Sequence, residues 1–123
     1  MQTGERIAVI AGRGGLPGAL VAALGGRAQV FAPEGLVLDL PAGTAVTRFR
    51  FERLVPFLDG LVDAGFGAVV LGGAMARPRL DPALFDAGTG RLVPRLLQAM
   101  QGGDDATLRE VVAVIEEAGL RVR

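Results

Sequence analysis

The chain has 123 residues, half of them hydrophobic, with 13 acidic and 13 basic side chains, no formal net charge and no cysteine. That length supports one domain with a core of its own, the apolar content argues against disorder, and the balanced charge lacks the basic footprint of a nucleic-acid-binding domain. The absence of Cys excludes disulfides and thiolate metal sites, and the absence of His, Ser, Lys, Tyr, Trp and Asn removes the usual nucleophiles, a His base and a Schiff-base lysine. What remains for chemistry is Asp, Glu, Arg, Thr, Gln and backbone N–H groups, an inventory suited to anion binding or to carboxylate-held Mg²⁺. No apolar run approaches the roughly 18–20 residues of a membrane span, and the first residues do not read as a secretory signal, so a cytoplasmic protein is expected.

Residues 6–11, RIAVIA, predict a short strand buried on both faces. Residues 17–24 predict a helix with Pro17 in its first turn, stopped by Gly25-Gly26. A second strand is expected over 28–34, a loop with an apolar patch after it, and a third strand over 45–51. Residues 52–64 place Leu54, Phe57, Leu58, Leu61 and Val62 on one helical stripe that Gly65 ends. Residues 67–73 predict a buried strand running into a second glycine turn, and Pro78 and Pro82 make the next stretch a loop with Asp81 and Asp86 as loop carboxylates. Helices are expected over 91–101 and 105–118, with Leu92, Leu96, Leu97, Leu108, Val111, Val112 and Ile115 in the core, Gly119 as a C-terminal stop and a last strand at the end. Strands alternating with helices predict an α/β domain, Rossmann-like, three-layered, with a mostly parallel sheet.

Two glycine turns carry the candidate chemistry. Gly12, Gly14 and Gly15, followed by Leu16 and Pro17, fit a strand-to-helix turn whose bare backbone approaches an anion while the helix N-terminus offers unpaired N–H groups. The turn departs from the dinucleotide fingerprint, with Pro17 where the third glycine belongs, although Glu34 ends the second strand where a ribose-binding carboxylate sits. A turn that needs glycine only for its φ angles remains the alternative. Gly72 and Gly73 close the central strand, where open α/β sheets bind ligands, and Arg77 follows with a guanidinium suited to phosphate. Asp104 and Asp105 either flank that cleft or cap the helix they precede.

Taken together, IAGRGGLP, VVLGGAMARPRL and GDDATLREVVAVIEEAGLRV, in that order, resemble the amino-terminal half of the LpxI-type UDP-2,3-diacylglucosamine pyrophosphatases of lipid A synthesis. The resemblance spans nearly the whole chain. It implies a substrate-binding half of an enzyme that hydrolyses UDP-2,3-diacylglucosamine to lipid X and UMP, with Mg²⁺ assisting and catalytic carboxylates mainly in a second, carboxy-terminal domain. Many members carry Lys where Ala74 stands, so a cationic contact in that loop is missing here or supplied by Arg77. The chain stops at Arg123, about where the first domain of the family ends, which implies an excised domain or a natural stand-alone version. Expected site residues are Gly12, Gly14, Gly15, Leu16, Pro17, Gly72, Gly73, Arg77, Asp104 and Asp105, with no catalytic residue and no metal ligand in this chain and no hydrolysis by it alone. Implied partners are UDP-2,3-diacylglucosamine or lipid X, the carboxy-terminal domain, a second copy and inner-membrane lipid touched peripherally. Two other classes stay open: a dinucleotide-binding module of an oxidoreductase, and a structural assembly domain.

Overall fold

The structure is a computed structural model describing residues 5–73 and 80–123. Its sheet consists of β1 (Ile7–Ala11), β2 (Ala28–Pro33), β3 (Val46–Phe49), β4 (Ala68–Gly72) and β5 (Arg121–Val122), in the order β3-β2-β1-β4-β5. Every pairing is parallel. Parallel neighbours require crossovers. Three are helical: α1 (Leu16–Leu24) between β1 and β2, α2 (Leu54–Asp63) between β3 and β4, and α5 (Asp104–Glu117) leading into β5. Between β4 and α5 lie two more helices, α3 (Ala87–Gly90) and α4 (Val93–Gln101). The fold is the expected Rossmann-like three-layer α/β arrangement.

All five side chains of β1 are buried, because alternate residues of this central strand face opposite helical layers. On one face Ile7, Val9 and Ala68 meet Leu20 and Leu24 of α1, while Ala11, Val30 and Ala32 meet Val21 together with Leu38 and Leu40 of the β2–β3 connection. On the other, Ala8, Ile10, Phe31 and Val69 pack with Leu58 and Leu61 of α2 and with Val114 and Ile115 of α5. The Phe49 and Phe57 rings stack 4.3 Å apart, and Phe31 meets Phe57 and Phe66 edge-on. Each fully buried Leu or Ile here contributes about 1.5–3 kcal/mol.

The helical stripes extend less far into the core than their periodicity predicts. Val62, Leu97 and Leu108 are 39%, 52% and 53% exposed. Leu108 lies in the second turn of α5, whose fully buried residues, Val114 and Ile115, come later in the helix. Leu97 lies on α4, which packs against α5 and has no fully buried residue. The predicted helix 91–101 is α4, beginning two residues later at Val93, and the short helix α3, ending at Gly90, precedes it. Asp81 and Asp86 are more than loop carboxylates. Asp81 Oδ1 accepts the Ala83 N–H at 3.0 Å, and Asp86 Oδ2 accepts those of Gly88 and Thr89 at 3.0 and 3.2 Å, starting a 3-10 turn (Pro82–Leu84) and α3 respectively. The Thr89 hydroxyl and these N–H groups hold the Asp86 carboxyl below the usual carboxylate range, against the opposing effect of its burial.

Arg95 ties α4 to α5 by reaching Glu110 and, with a second nitrogen at 2.7 Å, Glu117. Its guanidinium holds the Glu117 carboxyl below the usual range. A depressed folded-state value means that the stabilisation is complete above the ordinary glutamate pKa and is lost as pH falls through the folded value. Glu117 is more than half exposed, so salt weakens the pair. Thermal melts from about pH 6 down to about pH 3 should therefore fall less steeply in Arg95→Met than in the parent chain, and less steeply in high salt. An acid limb identical in the two proteins would remove this pair from the pH dependence.

Candidate anion-binding site

From β1 the chain moves outward to β2 and β3 on one side, then returns to β4 and β5 on the other, so the sheet changes direction between the adjacent strands β1 and β4. Open parallel sheets bind ligands outside the carboxyl ends of the strands at such a point. The pairing Ala11↔Gly72 sets the two tips level, which brings the glycine turn after β1 against the one after β4. The Gly12 N–H donates to the Gly72 carbonyl at 2.6 Å. A Cβ on Gly73 would lie 2.7 Å from both the Gly12 carbonyl carbon and the Arg13 oxygen, so the two turns touch backbone to backbone.

Gly12 is therefore corrected as a donor: its amide is spent on β4, and its contribution is to join the tips. The amides that follow are differently placed. Among the described residues no backbone carbonyl takes the N–H of Gly14, Gly15, Leu16 or Gly18. Gly15 is the N-cap of α1 and offers no side-chain cap, while Pro17 in the first turn brings no donor of its own. The result is a short row of amides without a backbone acceptor among the described residues, at the positive end of a helix and at the sheet's switch point, with the exposed Leu16 as its apolar lip.

A family model for the LpxI N-terminal domain matches residues 6–123. The chain belongs to this family. No curated protein matches the chain at a significant level.

Within this LpxI N-terminal domain each glycine has its own reason. Gly14 sits at φ +100° and Gly73 at φ +99°, in the region that favours glycine. Gly72 has Leu20 Cδ1 at 2.7 Å and the Pro17 Cα at 3.9 Å from the position of a Cβ. Close helix-to-strand packing, which the third glycine of the dinucleotide fingerprint allows from the helix side, is here allowed from the strand side by Gly72, so Pro17 is accommodated. Gly15 is the exception. Its φ of −84° suits any residue, and a Cβ there would meet nothing within 4 Å.

The other expected site residues are placed less closely together. Arg77, with Ala74, lies outside the described residues. Asp104 and Asp105 open α5, which packs on the face of the sheet opposite α1. They are exposed, and among the described residues neither side chain is hydrogen-bonded to the glycine turns. The alternative of a capping Asp104 is corrected: the N-cap is Gly103 at φ +96°, and both aspartates lie in the first turn, where they complement the helix dipole. Among the described residues no three carboxylates assemble into a group that could hold a metal ion. The groove between α4 and α5, lined by Arg95, Gln98, Ala99, Ala106, Arg109 and Glu110, shares no residue with the glycine turns, and its Arg95 is already engaged by two carboxylates.

Two residues at this end of the sheet escape a reading of the sequence. Arg13 is exposed inside the first turn, a cation between Gly12 and Gly14 whose flanking glycines were its one signal in the sequence. Glu52, in a 3-10 turn (Phe51–Arg53) after β3, is only 6% exposed, and its Oε2 accepts the Asp81 N–H at 3.0 Å. Nothing in FRFERLVPF signals that burial, since the covering segment comes from far along the chain. The Val55 N–H of α2 likewise finds its acceptor in the buried Thr89 hydroxyl, at 3.0 Å.

Proposed function

We propose that this domain is the substrate-binding half of a UDP-2,3-diacylglucosamine pyrophosphatase of the lipid A pathway, receiving the diphosphate of the nucleotide sugar at the β1–α1 turn. The observation that carries this reading is the pair of amides at Gly15 and Leu16, which have no backbone acceptor among the described residues, set at the switch point of a domain of the LpxI family. Those N–H groups and the dipole of α1 bind and orient the diphosphate, Arg13 adds a cation, and Gly15 leaves the backbone open to close approach. Hydrolysis to lipid X and UMP, with water attacking the α-phosphorus, falls to carboxylates of a partner carboxy-terminal domain, which also holds most of the Mg²⁺ coordination. The exposed Leu16, Leu80 and Leu108 provide apolar surface for that partner, for a second copy or for the lipid end of the substrate. Among the described residues no helix is long and apolar enough to cross a membrane, and a cytoplasmic domain meeting inner-membrane lipid peripherally is the corresponding location.

A second reading has one observation in its favour. Glu34 follows β2 directly, exposed, with its backbone fixed by donation to the Phe49 carbonyl at 2.9 Å, where dinucleotide folds place a ribose-binding carboxylate. Calorimetric titration of the chain with UDP, lipid X and NAD separates the two. UDP is expected to bind and NAD is not; strong NAD binding without UDP binding would transfer the domain to the dinucleotide class.

A further inference from the structure

The turn that follows β2 is fixed from three directions. Pro33 to Leu36 form a four-residue turn, closed by the Leu36 N–H donating to the Pro33 carbonyl at 3.3 Å, with Gly35 at φ +80°, the value a type II turn requires at its third residue. The Glu34 N–H donates across to the Phe49 carbonyl of β3 at 2.9 Å. Arg48 Nη1, also from β3, donates to the carbonyls of both Pro33 and Leu36, at 2.9 and 2.6 Å. The backbone on either side of Glu34 is thus held in place, while Glu34 itself is exposed and, among the described residues, is paired with no arginine.

This preorganised carboxylate stands beside the candidate diphosphate site. β2 is the neighbour of β1, in parallel register with Ile10 opposite Phe31, so the same register carried on sets Gly12 level with Pro33 and Glu34 one residue past the tip. Adjacent strands lie about 4.8 Å apart. Glu34 also follows Gly14 by 20 positions, the spacing at which sheets that hold a diphosphate on the first strand-to-helix turn place an acid for the adjoining ribose. A nucleoside diphosphate carries the same ribose beside its phosphates as a dinucleotide does, so the placement requires no nicotinamide. The chemistry suits a carboxylate, which only accepts hydrogen bonds where the ribose hydroxyls donate. It also repels phosphate, which sets the nucleotide in one direction, ribose toward β2 and diphosphate toward α1. We propose that Glu34 selects a ribonucleoside diphosphate at this site: its carboxylate accepts the 2′- and 3′-hydroxyls of the ribose while the diphosphate lies on the amides of Gly15 and Leu16. This rests on the reading of the β1–α1 turn as a diphosphate site.

The test is calorimetric titration of the whole chain with UDP, 2′-deoxy-UDP and inorganic pyrophosphate, in the parent and in Glu34→Ala. The parent is expected to bind UDP about tenfold or more tightly than 2′-deoxy-UDP, the worth of one hydrogen bond to a charged group. In Glu34→Ala the UDP affinity should fall by at least as much and the preference for ribose should vanish, while pyrophosphate binds no more weakly than to the parent. The turn is held through backbone groups, so this variant should melt at the parent's temperature. A parent that binds UDP and 2′-deoxy-UDP equally overturns the ribose role without any variant. So does a Glu34→Ala that keeps the parent's preference, or one that weakens all three ligands together, as a residue needed only for the turn would. A parent that binds neither UDP nor pyrophosphate removes the diphosphate reading and this role with it; one that binds both but ignores the 2′-hydroxyl removes the ribose role alone.

Discussion

Replacing Gly73 by alanine should destabilise the domain by about 2–5 kcal/mol, combining the cost of a left-handed backbone with that of overpacking a tight contact. The new methyl group would stand 2.7 Å from two backbone atoms, the Gly12 carbonyl carbon and the Arg13 oxygen, and backbone at the end of a buried strand has little room to yield. At roughly 4 °C per kcal/mol for a chain of this size, the melting temperature should drop by about 8–20 °C. Gly14→Ala is the matched control: its φ of +100° carries the same strain, but no atom lies within 4 Å of the added carbon, so only about 1–2 kcal/mol is expected. Gly72→Ala should fall in between, since its neighbour at 2.7 Å is the mobile end of Leu20. Equal melting temperatures for Gly73→Ala and Gly14→Ala would mean that the two strand tips do not touch.

Gly15→Ala should have the opposite profile, a stable protein that binds poorly. With φ at −84° and open space around its Cα, the position gives alanine no steric penalty. The exchange of glycine for alanine at an N-cap costs at most about 1 kcal/mol, a shift of a few degrees in melting temperature. A diphosphate seated on the amides of Gly15 and Leu16 would meet the new methyl group, and loss of one charge-assisted hydrogen bond corresponds to about ten- to a hundredfold in affinity for UDP. Retained UDP affinity in a normally folded Gly15→Ala would move the ligand away from this turn. The pair of variants answers whether these glycines serve a ligand or only the turn, because Gly73 is required by packing and Gly15 is not.

A good part of the molecule is legible in its letters. Runs such as RIAVIA and GAVVL, alternating with amphipathic stretches that end at Gly25, Gly65 and Gly119, specify buried strands and crossover helices through local periodicity and turn chemistry, and the structure has them within a residue or two. The glycine turns were also legible as places where backbone is left bare. Which glycine does what was not. Gly12, Gly14, Gly15 and Gly73 look alike in sequence, yet one donates to the neighbouring strand, two need positive φ, one of these against another backbone, and Gly15 needs neither.

Composition and spacing by themselves thus determined the class of fold, the central strands, the exclusion of Ser, Cys, His and Lys chemistry and the positions of the two glycine turns. Only the tertiary structure decided that β1 and β4 are neighbours at the switch point, that the buried Glu52 and Thr89 find hydrogen-bond partners 29 and 34 positions away, and that Leu97 and Leu108 remain exposed. The physical reason is range. Periodicity and glycine content act within a turn or two of chain, whereas burial, strand adjacency and the fate of an amide depend on what distant segments bring against them.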